Sequence, residues 1–314
     1  MPERMLPRYP VYVPSKGRYD TCYTARFLIK DGVPFRLVVE PQEQDHYAAA
    51  FGRERLLVLP WSGDDATRQA FCAERGIENG GLIAVRNWIK EHSIAAGWER
   101  HWQLDDNIRR IRRVYQGKRI PCAAGIALRL TEDFVDRYEN VALAGLNYEF
   151  FAIGEELPPF YLNGRVYSCT LVLNRIPHRW RIRYNDDTDI CLQVLADGWC
   201  TVLMNAFVTQ KCRTMTVKGG NTADLYQGDG RLKMARSLER LWPGVVKTSR
   251  RFQRPQHVVR DAWRRFDTPL RPKPGVDLAQ LPPVDERGMA LVQVAPIRSP
   301  RLRAWYEARV DEMG

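Results

Sequence analysis

Two acidic clusters are the residues whose types and spacing are best suited to chemistry. The first, Asp105-Asp106-Asn107, directly follows the short apolar segment Trp102 to Leu104. Oxygen ligands at this spacing suit Mg²⁺ or Mn²⁺, which such sites share with substrate phosphates. The alternative is a helix N-terminus, because Asp and Asn are common at that position. The motif by itself leaves both interpretations open.

The second cluster, Asn185 to Asp189, contains three carboxylates within four positions and precedes an amphipathic segment. Three neighbouring carboxylates repel one another, so the arrangement is costly unless a cation or a proton transfer uses them. One of them could act as a general base toward a hydroxyl acceptor. The alternative is an acidic first turn that interacts favourably with a helix dipole.

Two glycine-containing turns beside cations could bind phosphates: Ser15-Lys16-Gly17-Arg18 and Lys218-Gly219-Gly220-Asn221. Glycine lets a backbone approach a ligand closely, and the N–H groups of such turns attract anions. Neither turn has the glycine spacing of a Rossmann dinucleotide site or a P-loop, and a plain turn is the alternative. Arg86, ahead of the first acidic cluster, could add a guanidinium to a diphosphate.

The elements that must position these residues alternate short apolar strands with amphipathic helices, which indicates an α/β sheet domain. Strands are predicted at 10–13, 36–39, 56–59, 102–104, 141–146, 167–173 and 200–208. Helices are predicted at 21–30, 64–76, 83–96, 187–196, 231–241, 258–266 and 301–312. The first acidic cluster then follows a strand end, at the rim of the sheet where ligands of open α/β folds bind.

The length of 314 residues predicts one large domain with appendages. We assign a catalytic domain to 1–215, a basic helical extension to 216–267 and a Pro-rich tail to 268–314. No apolar run of roughly 18 residues and no signal-peptide pattern occurs, so we expect no membrane-spanning helix. The seven scattered cysteines contain no C-x-x-C pair, which argues against zinc or a disulfide framework and favours reduced thiols in the cytoplasm.

The formal net charge of +11 predicts an anionic partner. Nine basic residues against two acidic ones lie between Lys247 and Lys273, with aromatic residues interleaved. This clustering is typical of a phosphate-contacting surface, although an excess of arginine can simply solubilise a fold. The residues that we predict to contact DNA are Arg250, Arg251, Arg254, His257, Arg260 and Arg264.

Six segments follow one another in the chain: Val11 to Arg18, Val38 to Pro41, Arg86-Asn87, Leu104 to Asn107, Asp186 to Asp189 and Gly219 to Thr222. This series resembles the TET-associated glycosyltransferases of bacteriophages and prophages. The resemblance covers residues 10–265 and implies a GT-A-like, Rossmann-like mixed sheet flanked by helices. It further implies transfer of a sugar from a nucleotide-sugar, with a UDP-sugar as the expected donor, to 5-hydroxymethylcytosine in DNA, and a functional link to a TET-like dioxygenase.

The resemblance also implies roles for individual residues. Asp187 would be the general base, with Asp186 as the alternative, and Glu40 would lie near the uracil or ribose. Asp105, Asp106 and Asn107 would hold Mn²⁺ or Mg²⁺, although Asn107 departs from the family's usual Asp-x-Asp pair and is a weaker ligand. The implied donor-binding residues are Pro14, Ser15, Lys16, Arg18, Glu40, Arg86, Asp105, Lys218, Gly219, Gly220 and Asn221.

Inverting transfer is expected, and retention stays open because no single residue decides the stereochemistry. The target base would leave the stack and could be held by an aromatic loop, although core packing is the common fate of such residues. The residues concerned are Tyr148, Phe150, Phe151, Phe160 and Tyr161. Three other functions fit parts of the pattern: a glycosyltransferase for a glycan, lipid or small alcohol, a nucleotidyltransferase, and a non-catalytic DNA-binding protein.

Overall fold

The computed structural model describes residues 5–115, 117–152, 157–212, 230–251, 254–259 and 262–280. Its centre is a ten-stranded mixed sheet. The strands are β1 (Val11–Pro14), β2 (Arg36–Val39), β3 (Leu56–Val58), β4 (Arg100–Leu104), β5 (Ile108–Tyr115), β6 (Lys118–Cys122), β7 (Val141–Tyr148), β8 (Phe160–Leu162), β9 (Cys169–Leu173) and β10 (Cys200–Lys211). Their order is β3-β2-β1-β4-β9-β7-β10-β5-β6, with β8 paired to β10.

Strands β1 to β4 pair in parallel, as do β7 and β10, while β9 runs antiparallel to both of its neighbours. The flanking helices are α1 (Tyr23–Asp31), α2 (Gln44–Phe51), α3 (Ala66–Glu74), α4 (Ile83–Ala95), α5 (Ala124–Val135), α6 (Asp186–Ala196) and α7 (Gly230–Leu241). The predicted GT-A-like mixed sheet flanked by helices is therefore confirmed.

Both faces of the sheet are covered, because successive strand side chains point to opposite faces. Val11 and Val13 of β1 pack into a core shared with α1, α2 and α5. Tyr12 packs into a second core shared with α3, α4 and α6. Continuous burial of β1, β4 and β9 follows from this layering: β1 is a short apolar run, whereas β4 is buried although it contains Arg100, His101 and Gln103.

The prediction of a helix at 258–266 is wrong. β11 (Val246–Arg251) and β12 (Arg254–Val259) pair as an antiparallel hairpin, and the short helix α8 (Ala262–Arg265) is the next element. Val246 pairs with Val259, and both join a small core with Leu238 of α7. Tertiary packing of β-branched residues thus outweighs the local helical pattern. The predicted helix at 231–241 is confirmed as α7.

Between residues 108 and 140, for which no element was predicted, the chain forms β5, β6 and α5. Part of the Pro-rich tail packs on the domain: Arg271 N donates to Asn140 Oδ1, and Leu270 is buried. The predicted helix at 301–312 lies outside the described residues. All seven cysteines are free thiols. Within the ranges given above, no helix combines the length and apolar character needed to cross a bilayer.

Candidate functional site

The carboxyl ends of β1 and β4 bring the Ser15–Arg18 turn beside the first acidic cluster. These strands are parallel neighbours, with Tyr12 opposite Gln103, so the loops that follow them leave the same edge of the sheet. Ser15 Oγ donates to Asp106 Oδ2 at 2.8 Å, and Arg18 NH1 donates to Asp106 Oδ1 at 2.5 Å. The turn and the cluster therefore form one site, as the sequence predicted.

The turn also positions two other predicted residues. Lys16 Nζ lies 3.0 Å from Glu40 Oε1, and the Glu40 side chain is buried at the end of β2. Pro14, the last residue of β1, is buried directly ahead of the turn. The carboxylate of Glu40 and the half-exposed ammonium of Lys16 thus stand on one side of the cleft, next to Ser15.

Arg86 joins the two acidic clusters. From α4 its Nε donates to Asp186 Oδ2 at 3.0 Å, and its NH2 donates to Asp105 Oδ1 at 3.3 Å. A third bond runs from NH1 to Gln103 Oε1 at 3.2 Å, and only 10% of the guanidinium side chain is exposed. Residues nearly a hundred positions apart in the chain therefore share one cleft. The helix-cap interpretation of Asp105 is wrong, because the cluster lies in the turn between β4 and β5.

Lys211, at the end of β10, is a site residue that the sequence analysis missed. Its Nζ contacts Asp105 Oδ2 at 2.6 Å, Ser168 Oγ at 2.8 Å and Tyr148 Oη at 3.1 Å. Burial alone would raise the pKa of Asp105, but the charges of Lys211 and Arg86 outweigh it and lower that pKa to about 2. Lys211 could have been identified as a lone basic residue at the end of a long, largely apolar strand. Asp105 was identified from the same kind of position at a strand end.

The second cluster forms the first turn of α6, so the helix-dipole interpretation describes its position correctly. Asp187 Oδ1 accepts from the Thr188 N–H at 2.8 Å, and its Oδ2 has a loose contact of 3.8 Å with Arg165 Nε. Burial, with repulsion from Asp187 and Asp105 opposing Arg86, raises the pKa of Asp186 to about 6. The two adjacent carboxylates thus have different surroundings, and Asp187 is the less tightly held.

Backbone geometry around the cleft is also unusual. Ser168 and Asn185 have φ values of 62° and 55°, in the left-handed region that favours glycine. Ser168 contacts Lys211 through its hydroxyl, while Asn185 precedes Asp186 and donates from Nδ2 to the Met234 carbonyl at 2.8 Å. Two residues in strained conformations therefore flank the acids, as is common at functional sites.

The hairpin brings His257 toward the second cluster. Burial lowers the pKa of His257, nearby Arg165 lowers it further, and Asp187 opposes both. Arg250 is exposed on β11, and the backbones of Arg251 and Arg254 pair at the end of the hairpin. Arg264 lies in α8. The remaining predictions, Arg260 and the Lys218, Gly219, Gly220 and Asn221 turn, fall outside the described residues.

The residues expected to hold Mg²⁺ or Mn²⁺ do not fit a cation held by the protein alone. Both carboxylate oxygens of Asp105 and both of Asp106 already accept from the basic and hydroxyl side chains described above. Asn107 Oδ1 is buried without a hydrogen-bond partner, but it is a neutral oxygen. Nowhere in the described ranges do three His, Cys, Asp or Glu side chains group to hold a metal. The cations that contact Asp105 and Asp106 are Arg86, Lys211 and Arg18.

A family model described as TET-Associated Glycosyltransferase matches residues 9–220. The chain belongs to the TET-associated glycosyltransferase family. It is therefore a glycosyltransferase with a GT-A-like fold. No curated protein matches the chain. The family match includes Arg86, both acidic clusters and Lys211, whereas α7 and the β11-β12 hairpin of this TET-associated glycosyltransferase lie beyond its end.

Proposed function

We propose that this TET-associated glycosyltransferase transfers a sugar from a UDP-sugar to the hydroxymethyl group of 5-hydroxymethylcytosine in DNA, with inversion. The observation that carries the proposal is the position of Arg86, which bridges Asp105 and Asp186 across one cleft beside the Ser15–Arg18 turn. A donor whose nucleoside lies at that turn would place its diphosphate by Arg86 and its sugar toward α6. The family match supports the reaction class.

Arg86 and Lys211 would stabilise the leaving diphosphate. A guanidinium has five N–H donors, and each terminal nitrogen of Arg86 keeps a second N–H beyond the one bonded to Gln103 or Asp105. Lys211 adds a partly buried positive charge on the other side of Asp105. Charge placed in advance where negative charge develops lowers the barrier, because no solvent reorganisation is needed during the reaction.

Asp187 would act as the general base. Its carboxylate would take the proton of the acceptor hydroxyl as that oxygen forms a bond to the anomeric carbon of the sugar. The bond between the anomeric carbon and the diphosphate oxygen breaks in the same step, and the nucleoside diphosphate leaves. Oδ2 of Asp187 is suited to this role because its contact with Arg165 is as long as 3.8 Å. A single displacement of this kind inverts the anomeric centre.

Phe150 and Phe151 would contact the acceptor base. Their side chains are 71% and 51% exposed, whereas Phe160 packs against Phe134 with ring centroids 4.9 Å apart. Phe151 also stacks on Tyr148 at 5.7 Å, and the hydroxyl of Tyr148 contacts Lys211. Exposed rings attached to the site suit a base that has left the DNA stack.

Replacing both Phe150 and Phe151 with alanine is expected to raise KM for DNA by at least about tenfold, since stacking on one base is worth roughly 1–3 kcal/mol. KM for the donor should not change. The matched control is Trp98→Ala, because Trp98 is 43% exposed and lies ahead of β4, at the opposite edge of the sheet. Equal effects of the two variants on KM for DNA would exclude a specific contact at 150–151.

The rate of transfer is expected to fall below pH 6. Because the pKa of Asp186 is raised to about 6, protonation near that pH removes its charge and weakens the ion pair that orients Arg86. The Asp186→Asn enzyme should be slower and should lack this acidic limb. A pH profile of kcat/KM for both proteins checks the assignment. If the variant shows the same decrease of kcat/KM below pH 6 as the wild-type enzyme, that decrease is due to another titrating group.

The function itself is tested by incubating the enzyme with a panel of nucleotide-sugars and with hydroxymethylated or unmodified DNA, followed by mass analysis of the nucleosides. We expect a mass increase of one sugar on hydroxymethylcytosine alone, with release of nucleoside diphosphate. Release of pyrophosphate would instead identify a nucleotidyltransferase. If donor turnover does not depend on DNA but is stimulated by a glycan, a lipid or a small alcohol, the acceptor belongs to that class of compound instead.

A further inference from the structure

A basic groove of about 640 Å³ lies between α7 and β11, outside the candidate site described above. Its lining contains four cations, Lys233, Arg236 and Arg240 from α7 and Lys247 from β11, against the single acid Glu239. All four cations are exposed. A concave surface with this charge attracts anions, because converging cations raise the local potential.

The three cations of α7 lie along one side of the helix because residues three or four positions apart share a helix face. On the opposite side, Ala235 and Leu238 are buried against the domain. Among the described residues, none of the four groove cations forms an ion pair, whereas most arginines around the cleft are paired. Within the part of the chain that the structure describes, the charge of the groove cations is therefore not neutralised by an acidic partner.

The span of the groove suits a polyanion. Lys233 and Arg240 are seven positions apart in α7, which corresponds to a rise of about 10 Å along the helix axis. Phosphates follow one another every ~3.4 Å along the axis of one DNA strand, so this distance covers about three of them. A small anion such as free phosphate would meet only one or two of the cations. The spacing therefore favours a chain of phosphodiesters over an isolated group.

The groove is attached to the proposed catalytic acids. Asn185, which precedes Asp186, donates to the carbonyl of Met234 in α7 at 2.8 Å. At the other end of α7, Trp242 Nε1 donates to Asp189 Oδ1 at 2.8 Å. Two hydrogen bonds thus hold the groove helix against the first turn of α6. A strand bound along α7 would be held at a fixed position relative to the acceptor site.

We propose that this groove binds the backbone phosphates of the acceptor DNA and so positions the target nucleotide at α6. The proposal rests on the proposed function in taking DNA as the acceptor. It adds a binding surface on α7, distinct from the arginines of the hairpin tip. Phosphate contacts of this kind position a nucleic acid without reading its sequence.

The test is the triple variant Lys233→Gln, Arg236→Gln, Arg240→Gln, with DNA affinity measured by fluorescence anisotropy on an unmodified 20-mer over a range of salt concentrations. Each lost phosphate contact removes roughly 0.7–0.9 from the slope of log Kd against log salt, so we expect the slope to fall by about 2. Affinity at low salt should fall by at least about tenfold. An unchanged slope would overturn the proposal.

The matched control is Lys30→Gln, Arg36→Gln, Arg53→Gln, which removes the same charge from exposed residues at the opposite edge of the sheet. This control should leave the salt slope unaltered. An equal decrease of the slope in the control would show that the slope depends on total charge and not on the groove. The double variant Arg236→Lys, Arg240→Lys keeps the charge and should retain wild-type binding. Unaltered melting temperatures establish that all three variants fold.

Two further measurements separate this proposal from the proposed function. Transfer to the free nucleoside 5-hydroxymethyldeoxycytidine should be equal in the wild-type and triple-variant enzymes, while transfer to the 20-mer should decrease in the variant. Because the anisotropy experiment uses unmodified DNA, it tests the groove even if hydroxymethylcytosine is not the acceptor. Binding of the wild-type enzyme to vesicles containing phosphatidylserine, but not to DNA, would assign the groove to a membrane surface and refute the proposal.

Discussion

Asp187→Asn is expected to lower kcat for sugar transfer by about 1,000-fold, the middle of the range for loss of a general base. Asparagine keeps the oxygen that accepts from the Thr188 N–H, so the first turn of α6 should persist. It cannot take the acceptor proton at neutral pH. Arg86 and Asp105 remain in place, and donor affinity should therefore be nearly unchanged.

Single-turnover kinetics and calorimetric donor titration together check this expectation. Asp197→Asn is the matched control, because Asp197 follows the other end of α6 and is 64% exposed beside His178. It should leave both kcat and donor affinity unchanged. Asp186→Asn should differ from both variants by weakening donor binding, since Asp186 orients Arg86 directly. Lost donor affinity with retained turnover in the Asp187 variant would refute its assignment as the base.

Lys211→Met is expected to weaken donor binding by about 100-fold, because losing one charged contact to the diphosphate costs about 1.5–3 kcal/mol. The pKa of Asp105 would rise as the neighbouring ammonium is lost. One carboxylate oxygen of Asp105 would then lack its donor. Because Mg²⁺ and Mn²⁺ bind carboxylate oxygens, we expect either cation to take the place of the lost ammonium and to restore part of the donor affinity of this variant.

The wild-type enzyme should behave differently when divalent cations are removed. All four carboxylate oxygens of Asp105 and Asp106 accept from protein groups, so a chelator should leave wild-type donor affinity unchanged. Lys30→Met is the control for general loss of positive charge, because Lys30 is an exposed residue in the last turn of α1 and has no assigned role in donor binding. Loss of wild-type donor binding in chelator would show that a metal ion replaces the Lys211 contact in the working enzyme.

Local pattern was sufficient to predict most of the elements that carry the site. Strands buried on both faces can appear as short apolar runs, and β1 was found in this way, whereas only residues 102–104 of the more polar β4 were predicted. The residues after Pro14 and Leu104 meet because β1 and β4 are parallel neighbours that end at the same edge of the sheet, and this strand order comes from the tertiary structure. The order of six short segments was sufficient to identify the family, which the match to residues 9–220 confirms.

The sequence by itself therefore determined the α/β class, the family and the two acidic clusters, since each depends on residues close together in the chain. Only the tertiary structure decided that Arg86 bridges those clusters, that Lys211 lies against Asp105, and that residues 246–251 pair with residues 254–259. These features depend on partners far apart in sequence, whose proximity is set by strand order and by the packing of Val246 and Val259 on α7. Hydrophobic periodicity describes which face of an element is buried, but it carries no information about what that face is buried against.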